Sequence, residues 1–201
     1  MLITFEGIDG CGKSTLAKTL HDELVRKGCR AKLTKEPTSG PVGKIITEHM
    51  GEWDEMTIAL LFSTDHSYHV SLVREWLKKG FTVISDRYHG SNLAYQGTSL
   101  RDLMKDPMSW LEAISEPFTL PPDITFLLKI DPEIAMGRIS RKGKFRDRYE
   151  VSAFLEDVQK TYMELAKRRG YVILDGAKTV KENLSKVMEA IEAKGFNNNR
   201  L

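Results

Sequence analysis

Gly7-Ile8-Asp9-Gly10-Cys11-Gly12-Lys13-Ser14 lies between a short apolar segment, Leu2–Glu6, and a segment with helical periodicity. The octapeptide matches the pattern G-x-x-x-x-G-K-[ST] without a mismatch, in the strand–loop–helix context that this pattern requires. Its glycines allow the backbone to turn tightly and to aim successive N–H groups at phosphate oxygens. The N-terminus of the following helix adds the positive end of its dipole. The sequence therefore predicts a phosphate-binding loop, or P-loop, at the carboxyl end of the first strand.

Two side chains of the P-loop supply its chemistry. Lys13 is predicted to reach the β- and γ-phosphates of a nucleoside triphosphate, and the Ser14 hydroxyl is predicted to bind Mg²⁺. The predicted nucleotide contacts are Gly7, Ile8, Asp9, Gly10, Cys11, Gly12, Lys13, Ser14 and Thr15. The motif leaves the reaction open, because GTPases, ATPases and small-molecule kinases share it.

Short apolar strands alternate with longer helical patterns along the rest of the chain. The strands are predicted at Leu2–Glu6, Ala31–Lys35, Phe81–Ser85, Ile124–Ile130 and Tyr171–Leu174. Three predicted helices end in a cation followed by a glycine, Gly28, Gly80 or Gly170, which is typical of a left-handed C-cap. Repeated β-then-α order with short connections favours a parallel sheet. We expect one α/β domain over 1–201, a three-layer P-loop NTPase fold whose five-stranded parallel sheet has helices on both faces.

Helical periodicity and capping residues place the remaining elements. Helices are predicted over Lys13–Lys27, Glu55–Lys79 and Ser152–Arg169. The first of these has Leu16, Leu20, Leu24 and Val25 on its apolar stripe. Two further helices are predicted to begin at Asp131-Pro132-Glu133 and at Thr179, which forms a capping box with Glu182. The segment Pro37–Gly43 is interpreted as a turn-rich loop.

Composition excludes several classes of protein. The chain has 201 residues, 41% of them hydrophobic and 29% charged, which indicates a globular domain rather than a disordered chain. A formal charge of +2 gives no basic excess of the kind that nucleic-acid binders carry. No apolar run approaches the length of about 18–20 residues that spans a bilayer. Because a signal-peptide pattern is lacking and only Cys11 and Cys29 are present, we expect a cytoplasmic protein without nucleic-acid or membrane partners.

A second polar motif, Asp86-Arg87-Tyr88, follows the third predicted strand. Parallel sheets place ligands at the carboxyl ends of their strands. There Asp86 could contribute to the magnesium site, and Arg87 could bind a phosphate through two hydrogen bonds. An ordinary surface ion pair is the alternative interpretation.

A third signal is a basic cluster between two predicted helices. It comprises Arg138, Arg141, Lys142, Lys144, Arg146 and Arg148, with only Asp147 opposing. A cationic flap over about 138–149 would supply charge to a transferring phosphoryl group and exclude water. A solvated charge run is the alternative.

In this combination of motifs the chain resembles the thymidylate kinase family. The landmarks run in family order over about residues 1–185: Phe5–Thr15, Glu36-Pro37, Leu60–Asp65, Asp86-Arg87-Tyr88, Ser91, Ala94–Gly97, Leu120–Asp123 and Asp147–Glu150. The resemblance implies the reaction ATP + dTMP → ADP + dTDP for dTTP synthesis, with Mg²⁺, in a protein that usually forms homodimers.

The resemblance also implies roles for individual residues. Phe62 would stack on the thymine, Arg87 would bind the dTMP phosphate, and Tyr95 would crowd the 2′ position. Ser91 and Asn92 would lie near the edge of the base. The full set implied to contact the acceptor is Glu36, Pro37, Phe62, His66, Arg87, Ser91, Asn92, Tyr95 and Gln96.

Further roles concern the sugar, the metal and the flap. Asp9 would approach the 3′-hydroxyl or the metal shell, and Glu36 would help to orient the acceptor. Some members carry an arginine in the P-loop and others in the flap; with Gly10 in its loop, this chain resembles the second kind. The implied catalytic residues are Lys13, Asp9, Arg87, Arg141, Arg146 and Arg148, with Arg138 contacting the nucleotide.

The chain departs from the family pattern at two places. Lys35-Glu36-Pro37-Thr38-Ser39-Gly40 stands where the family often has Arg-Glu-Pro-Gly-Gly-Thr. His66 stands four residues after Phe62, where the family usually has an arginine that donates to the thymine carbonyl. We interpret His66 as a substitute donor to the base; an exposed helix histidine is the alternative.

Other functions remain open at this point. A deoxynucleoside kinase shares several motifs but needs a base beside a neutral 5′-hydroxyl, whereas Arg87 and the flap suit an anionic acceptor. A broader pyrimidine monophosphate kinase is a further alternative because of His66. A GTPase switch would carry an Asn-Lys-x-Asp type motif, and this sequence has none.

Overall fold

Five parallel strands form the central sheet of the computed structural model, which describes residues 1–140 and 148–196. The strands are β1 (Leu2–Glu6), β2 (Ala31–Lys35), β3 (Thr82–Asp86), β4 (Ile124–Lys129) and β5 (Val172–Asp175). Their order across the sheet is β2-β3-β1-β4-β5. The predicted five-stranded parallel α/β fold is confirmed, and each predicted strand lies within one residue of its observed bounds at either end.

The helices connect successive strands. They are α1 (Lys13–Arg26), α2 (Pro41–His49), α3 (Glu55–Lys78), α4 (His89–Ser99), α5 (Pro107–Ser115), α6 (Pro132–Ser140), α7 (Arg148–Arg169) and α8 (Val180–Ala193), with a 3₁₀ turn at Leu100–Asp102. None of the helices in the described ranges is long and apolar enough to cross a membrane.

The strand order decides where the functional loops meet. All five residues of β1 are buried, because β1 lies in the middle of the sheet between β3 and β4. Phe5 lies opposite Asp86 on one side and Phe126 on the other. The P-loop after β1 and the Asp86-Arg87 motif after β3 therefore leave the same edge of the sheet side by side.

The predicted helix ends are confirmed. Gly28, Gly80 and Gly170 have φ angles of 85°, 79° and 69°, the left-handed conformation that a glycine C-cap allows. Thr179 and Glu182 form a complete capping box at the start of α8.

The structure corrects four details. The predicted loop Pro37–Gly43 is partly helical, because α2 begins at Pro41. Val25 is 49% exposed, since it lies one step around α1 from the buried Leu24. Helix α7 begins at Arg148 rather than at residue 152, and the proposed flap range begins inside α6.

Candidate active site

The P-loop has the backbone geometry that its glycines predict. Gly7, Gly10 and Gly12 have φ angles of 139°, 82° and 99°. A Cβ at Gly10 would lie 2.4 Å from the Ala135 carbonyl oxygen, so no side chain fits there. Lys13 is buried, and its Nζ lies 3.3 Å from the Ile8 carbonyl oxygen. The loop is therefore a preformed cradle with its cation inside it.

A cavity of about 600 Å³ lies against the P-loop. It is lined by Asp9–Leu16, Leu128, Arg138, Ile139, Gly176, Lys178, Thr179, Val180 and Asn183. Arg138 Nη1 donates to the carbonyl oxygens of Gly10 and Gly176, at 3.3 and 3.1 Å. This arginine thus joins the P-loop to the segment after β5, which closes the cavity on the far side.

Arg87, Asp9 and Tyr95 form a polar cluster on the other side of the P-loop. Arg87 Nη2 donates to Asp9 Oδ1 at 2.5 Å, and the guanidinium carbon lies 4.8 Å from the centre of the Tyr95 ring. The Asp9 backbone N–H donates to the Tyr95 hydroxyl at 2.9 Å. Lys13 Nζ lies 3.5 Å from the same Asp9 carboxylate. The Asp9 carboxylate therefore lies between two cations, Lys13 of the P-loop and Arg87 at the end of β3.

The charges of this cluster shift its pKa values. Desolvation raises the pKa of Asp9, but the positive charges of Arg87 and Lys13 outweigh it, so that the net shift is downward. Burial raises the pKa of Tyr95 to about 12, against the opposing effect of Arg87. Asp9 is therefore ionised and Tyr95 is neutral at physiological pH.

Helices α3 and α4 form the wall behind this cluster. Ser91, Asn92 and Gln96 are buried on α4, and Phe62 is half-buried on α3. Asn92 Nδ2 donates to Ser63 Oγ at 3.1 Å, which leaves Asn92 Oδ1 buried without a partner among the described residues. An unpaired buried acceptor is costly, so a ligand N–H at this point would remove a penalty.

Asp86 lies at the end of β3 between these two regions. Its Oδ1 atom is buried and accepts no hydrogen bond within residues 1–140 and 148–196. Its neighbour Arg87 pairs with Asp9 instead, so the alternative of an ordinary Asp86–Arg87 surface ion pair is wrong. Ser14, at the start of α1, is exposed to the same edge of the sheet.

Glu36 is held by two histidines of α3. His66 Nδ1 and His69 Nδ1 each lie 2.7 Å from Glu36 Oε1. The outer nitrogens, Nε2 of His66 and Nε2 of His69, contact Thr119 Oγ1 at 3.2 Å and Thr34 Oγ1 at 2.8 Å. Desolvation raises the pKa of Glu36, but the charge and hydrogen bond of His66 and the contact with His69 lower it to about 2.

His66 itself is fully buried, so the alternative of an exposed helix histidine is wrong. Its two ring nitrogens face Glu36 and Thr119. The role of base reader stays a prediction, and it would require one of these contacts to be exchanged for the base. Pro37 follows Glu36 through a cis peptide bond.

Comparison with known proteins identifies the family. The family profile described as Thymidylate kinase matches residues 5–187. A probable thymidylate kinase of Methanococcoides burtonii is 37% identical over 194 residues, covering 94% of this chain and 95% of the relative. Another, from Methanoculleus marisnigri, is 43% identical over 168 residues, covering 83% and 80%. A third, from Sulfurisphaera tokodaii, is 36% identical over 94% of both chains.

The chain belongs to the thymidylate kinase family. The resemblance predicted from its motifs is thereby confirmed. As in the family as a whole, ATP is the expected phosphoryl donor.

The predicted flap lies mostly outside the described residues. Arg141 and Arg146 fall in the segment 141–147, and for Arg148 the structure gives only its place at the start of α7. Their catalytic roles stay predictions. Arg138, assigned to the same flap from sequence, belongs to α6 and contacts the P-loop.

The sequence did not predict part of the lining of the cavity beside the P-loop. Lys178, Thr179, Val180 and Asn183 line it, yet the sequence indicated only a capping box there. Gly176 gives the one usable signal, since a glycine follows β5 at the carboxyl edge of the sheet. A Cβ on it would lie 3.1 Å from the Cys11 carbonyl oxygen, so the segment after β5 packs directly on the P-loop.

Proposed function

We propose that this chain transfers the γ-phosphoryl group of ATP to dTMP, giving ADP and dTDP. The observation that carries the proposal is Arg87, placed beside the P-loop yet on the opposite side from the 600 Å³ cavity. An anion held by Arg87 would face a triphosphate held by Lys13. Phosphoryl transfer depends on the in-line positioning of donor and acceptor more than on covalent help from the protein.

The donor side would use the P-loop and the cavity. Backbone N–H groups of residues 10–15 would bind the phosphates, and Lys13 would reach the terminal ones. The adenine would lie in the part of the cavity lined by Lys178, Thr179 and Asn183. Asn183 Oδ1 is buried without a partner in the described chain, so an exocyclic amino group there would satisfy it.

The residues at the sheet edge fit a magnesium ion. The unpartnered Asp86 Oδ1 and the exposed Ser14 hydroxyl are hard oxygen ligands, and Asp9 is an ionised carboxylate nearby. When bound, Mg²⁺ would neutralise charge on the β- and γ-phosphates. Ser14 and Asp86 would hold it, and Asp9 would join its shell or receive the acceptor sugar.

The acceptor side would recognise phosphate, sugar and base separately. Arg87 would bind the 5′-phosphate in place of its present contact with Asp9. Tyr95, under the guanidinium, would crowd the 2′ position. Asn92 Oδ1 would accept the N3–H of a thymine stacked on Phe62, a contact that cytosine cannot provide because its N3 carries no hydrogen.

The competing deoxynucleoside kinase function needs a general base at the 5′-hydroxyl. Such a base works best with a pKa near the operating pH. The pKa of Glu36 is lowered to about 2 and that of Asp9 is also lowered, so neither carboxylate suits the task. The pKa of Glu6 is raised to about 7, but its side chain is buried and both of its oxygens already accept hydrogen bonds from Tyr88, Ser91 and Tyr162. An anionic acceptor, which needs cations and no strong base, is favoured.

The test measures ADP release with dTMP, thymidine, dUMP or no acceptor. We expect turnover with dTMP and none with thymidine. Arg87→Ala should raise KM for dTMP far more than KM for ATP, by the roughly 2–5 kcal/mol that loss of one partner of a buried charge pair costs. Arg30→Ala, at the opposite edge of the sheet, is the matched control. Thymidine turnover, or equal effects of Arg87→Ala on both substrates, would refute the proposal.

A homodimer is part of the proposal by family resemblance. Four exposed apolar side chains on α3, on α2 and at the C-cap of α2 support such an interface: Ile45, Met50, Leu60 and Tyr68. Light scattering on the purified protein would measure the oligomeric state, and a monomer at micromolar concentration would contradict this part.

A further inference from the structure

Glu6 is a buried carboxylate to which neither the motifs nor the family assigned a role. It is the last residue of β1 and is 1% exposed. Its Oε1 accepts the backbone N–H of Tyr88 at 3.0 Å. Its Oε2 accepts the hydroxyls of Ser91 at 2.6 Å and Tyr162 at 3.2 Å. The carboxylate thus joins β1 to three groups, two from the β3–α4 segment and one from α7.

The direction of these hydrogen bonds connects Glu6 to Arg87. A serine hydroxyl has one proton to donate and lone pairs to accept with. An ionised carboxylate only accepts, so Ser91 donates to Glu6, and Ser91 Oγ is left to accept from Arg87 Nη1, which lies 3.0 Å away. The Tyr162 hydroxyl also lies 2.8 Å from Ser91 Oγ. A series of two hydrogen bonds therefore connects the Glu6 carboxylate, through Ser91, to the Arg87 guanidinium.

Contacts with the end of β1 also fix the backbone conformation of Arg87. Arg87 has φ 72°, an unfavourable conformation for a residue with a side chain, which persists only where neighbours enforce it. Its N–H donates to the Phe5 carbonyl at 2.9 Å, and the next N–H, of Tyr88, donates to Glu6. A Cβ at Gly90 would lie 2.8 Å from Glu6 Oε1, so the first turn of α4 packs directly on this carboxylate.

We propose that Glu6 is a positioning residue that aims Arg87 at the acceptor phosphate, acting through Ser91 and the backbone of Tyr88. This inference rests on the proposed role of Arg87 in dTMP binding. Glu6 does not touch the substrate. Its ionised form provides the acceptors that orient the Ser91 hydroxyl, and its negative charge favours the cationic Arg87 beside it.

The ionisation of Glu6 offers a readout for this role. Burial raises the pKa of Glu6 to about 7, although the Ser91 hydrogen bond and the charge of Arg87 oppose the shift. The other titratable groups that act on it electrostatically are Glu36, Tyr162 and Tyr171, of which Glu36 raises its pKa further. As the pH falls below 7, protonation of Glu6 removes an acceptor from the hydrogen bonds that hold Arg87 in place.

The central experiment compares the parent with Glu6→Gln, an isosteric variant that fits against Gly90. We expect KM for dTMP to rise about tenfold at pH 8, with KM for ATP within about twofold of the parent. KM for dTMP of the parent should also rise between pH 8 and 6, and the Gln variant should lack the part of this rise that exceeds titration of the substrate phosphate. Thr4→Val is the matched control, since Thr4 is buried on the same face of β1 and its hydroxyl contacts that of Thr125.

Stability separates positioning from a structural role. An acid whose folded pKa is raised destabilises the fold once the pH exceeds its unfolded value. Glu6→Gln should therefore unfold at pH 8 no more easily than the parent, so that a rise in KM for dTMP in this variant would not come from a loss of fold stability. A Gln variant with parental KM for dTMP, or with equal effects on both substrates, would overturn the inference.

A second variant keeps the test decisive if Glu6→Gln does not fold. Tyr162→Phe removes the hydroxyl that contacts both Glu6 Oε2, at 3.2 Å, and Ser91 Oγ, at 2.8 Å, so it loosens the same hydrogen-bond network without changing the side chains of Glu6, Ser91 or Arg87. It should raise KM for dTMP in the same direction by about threefold, and a parental value would then overturn the inference. If Arg87→Ala itself leaves KM for dTMP unchanged, the proposed function of Arg87 fails, which is a different result.

Discussion

Replacement of His66 distinguishes support of Glu36 from recognition of the base. Because His66 Nδ1 already contacts Glu36, a contact to thymine would have to come from Nε2. Asparagine places its amide nitrogen close to the position of Nδ1, whereas it has nothing at the position of Nε2. His66→Asn therefore keeps the donor to Glu36 and deletes the donor to the base, and His66→Ala deletes both.

The structure sets the expected magnitudes. A hydrogen bond to a charged group contributes about 1.5–3 kcal/mol, and loss of a fully buried ring adds a cavity penalty, so His66→Ala should lose about 3–4 kcal/mol of unfolding free energy. His69 still donates to Glu36, which keeps the loss below that of an unpaired buried charge. His66→Asn should lose about half as much. In urea, the alanine variant should unfold about 1–2 M earlier than the parent.

Calorimetry with dTMP and thymidine completes the test. If His66 supports Glu36, the asparagine variant should bind both ligands within about threefold of the parent, while the alanine variant binds both more weakly. If His66 reads the base, the asparagine and alanine variants should lose equal affinity for thymidine. Equal losses of thymidine affinity in the two variants would refute the proposed support of Glu36 by His66 and would confirm the prediction that His66 reads the base.

Three further predictions concern the donor, the flap and acid stability. Lys13→Ala should lower kcat by several orders of magnitude with the fold intact by circular dichroism, and activity within tenfold of the parent would exclude Lys13 from the mechanism. Single alanine replacements of Arg141, Arg146 and Arg148 should lower kcat and leave dTMP affinity nearly unchanged; parental kcat in all three would make the flap a solvated charge run. The lowered pKa of Glu36, about 2, stabilises the fold above about pH 4.5 by roughly 3 kcal/mol, and this is lost as the pH falls towards 2. Denaturant titrations across that range should show a steeper loss in the parent than in Glu36→Gln.

The fold could be predicted because its signals are local. The P-loop motif, the apolar strands and the glycine C-caps each lie within a few residues of the chain. Helix α4 gave no such signal: it contains Gly90 and Gly97, which lower helix propensity. Both positions are occupied by glycine because neighbouring side chains pack closely against them. A Cβ would lie 2.8 Å from Glu6 Oε1 at Gly90 and 2.7 Å from Met108 Sδ at Gly97. Contacts between distant segments decided this helix.

In the candidate site, too, local sequence signals could be predicted and contacts between distant segments could not. The positions of Lys13 and Arg87 in the fold were predictable, because each follows a strand that ends at the same edge of the sheet. The partner of His66 was not, because Glu36 lies 30 residues earlier and only the pairing of β2 with β3 brings it under α3. Helix α2 was missed because its N-cap, Gly40, makes no side-chain hydrogen bond.

Two buried carboxylates of this site, Glu36 and Glu6, differ in their partners in a way that leaves the charge of Arg87 available to an anionic acceptor. Both are buried, yet the pKa of Glu36 is lowered to about 2 and that of Glu6 is raised to about 7. Glu36 is contacted directly by two imidazoles, whereas Glu6 is contacted by hydroxyls and a backbone N–H, with Arg87 one serine away. Because Ser91 stands between them, Glu6 orients Arg87 without forming an ion pair with it. The charge of Arg87 is then opposed only by the exposed Asp9 among the described side chains that hydrogen-bond to it. An incoming phosphate has to displace this one exposed carboxylate, and such a contact is weak enough to be exchanged.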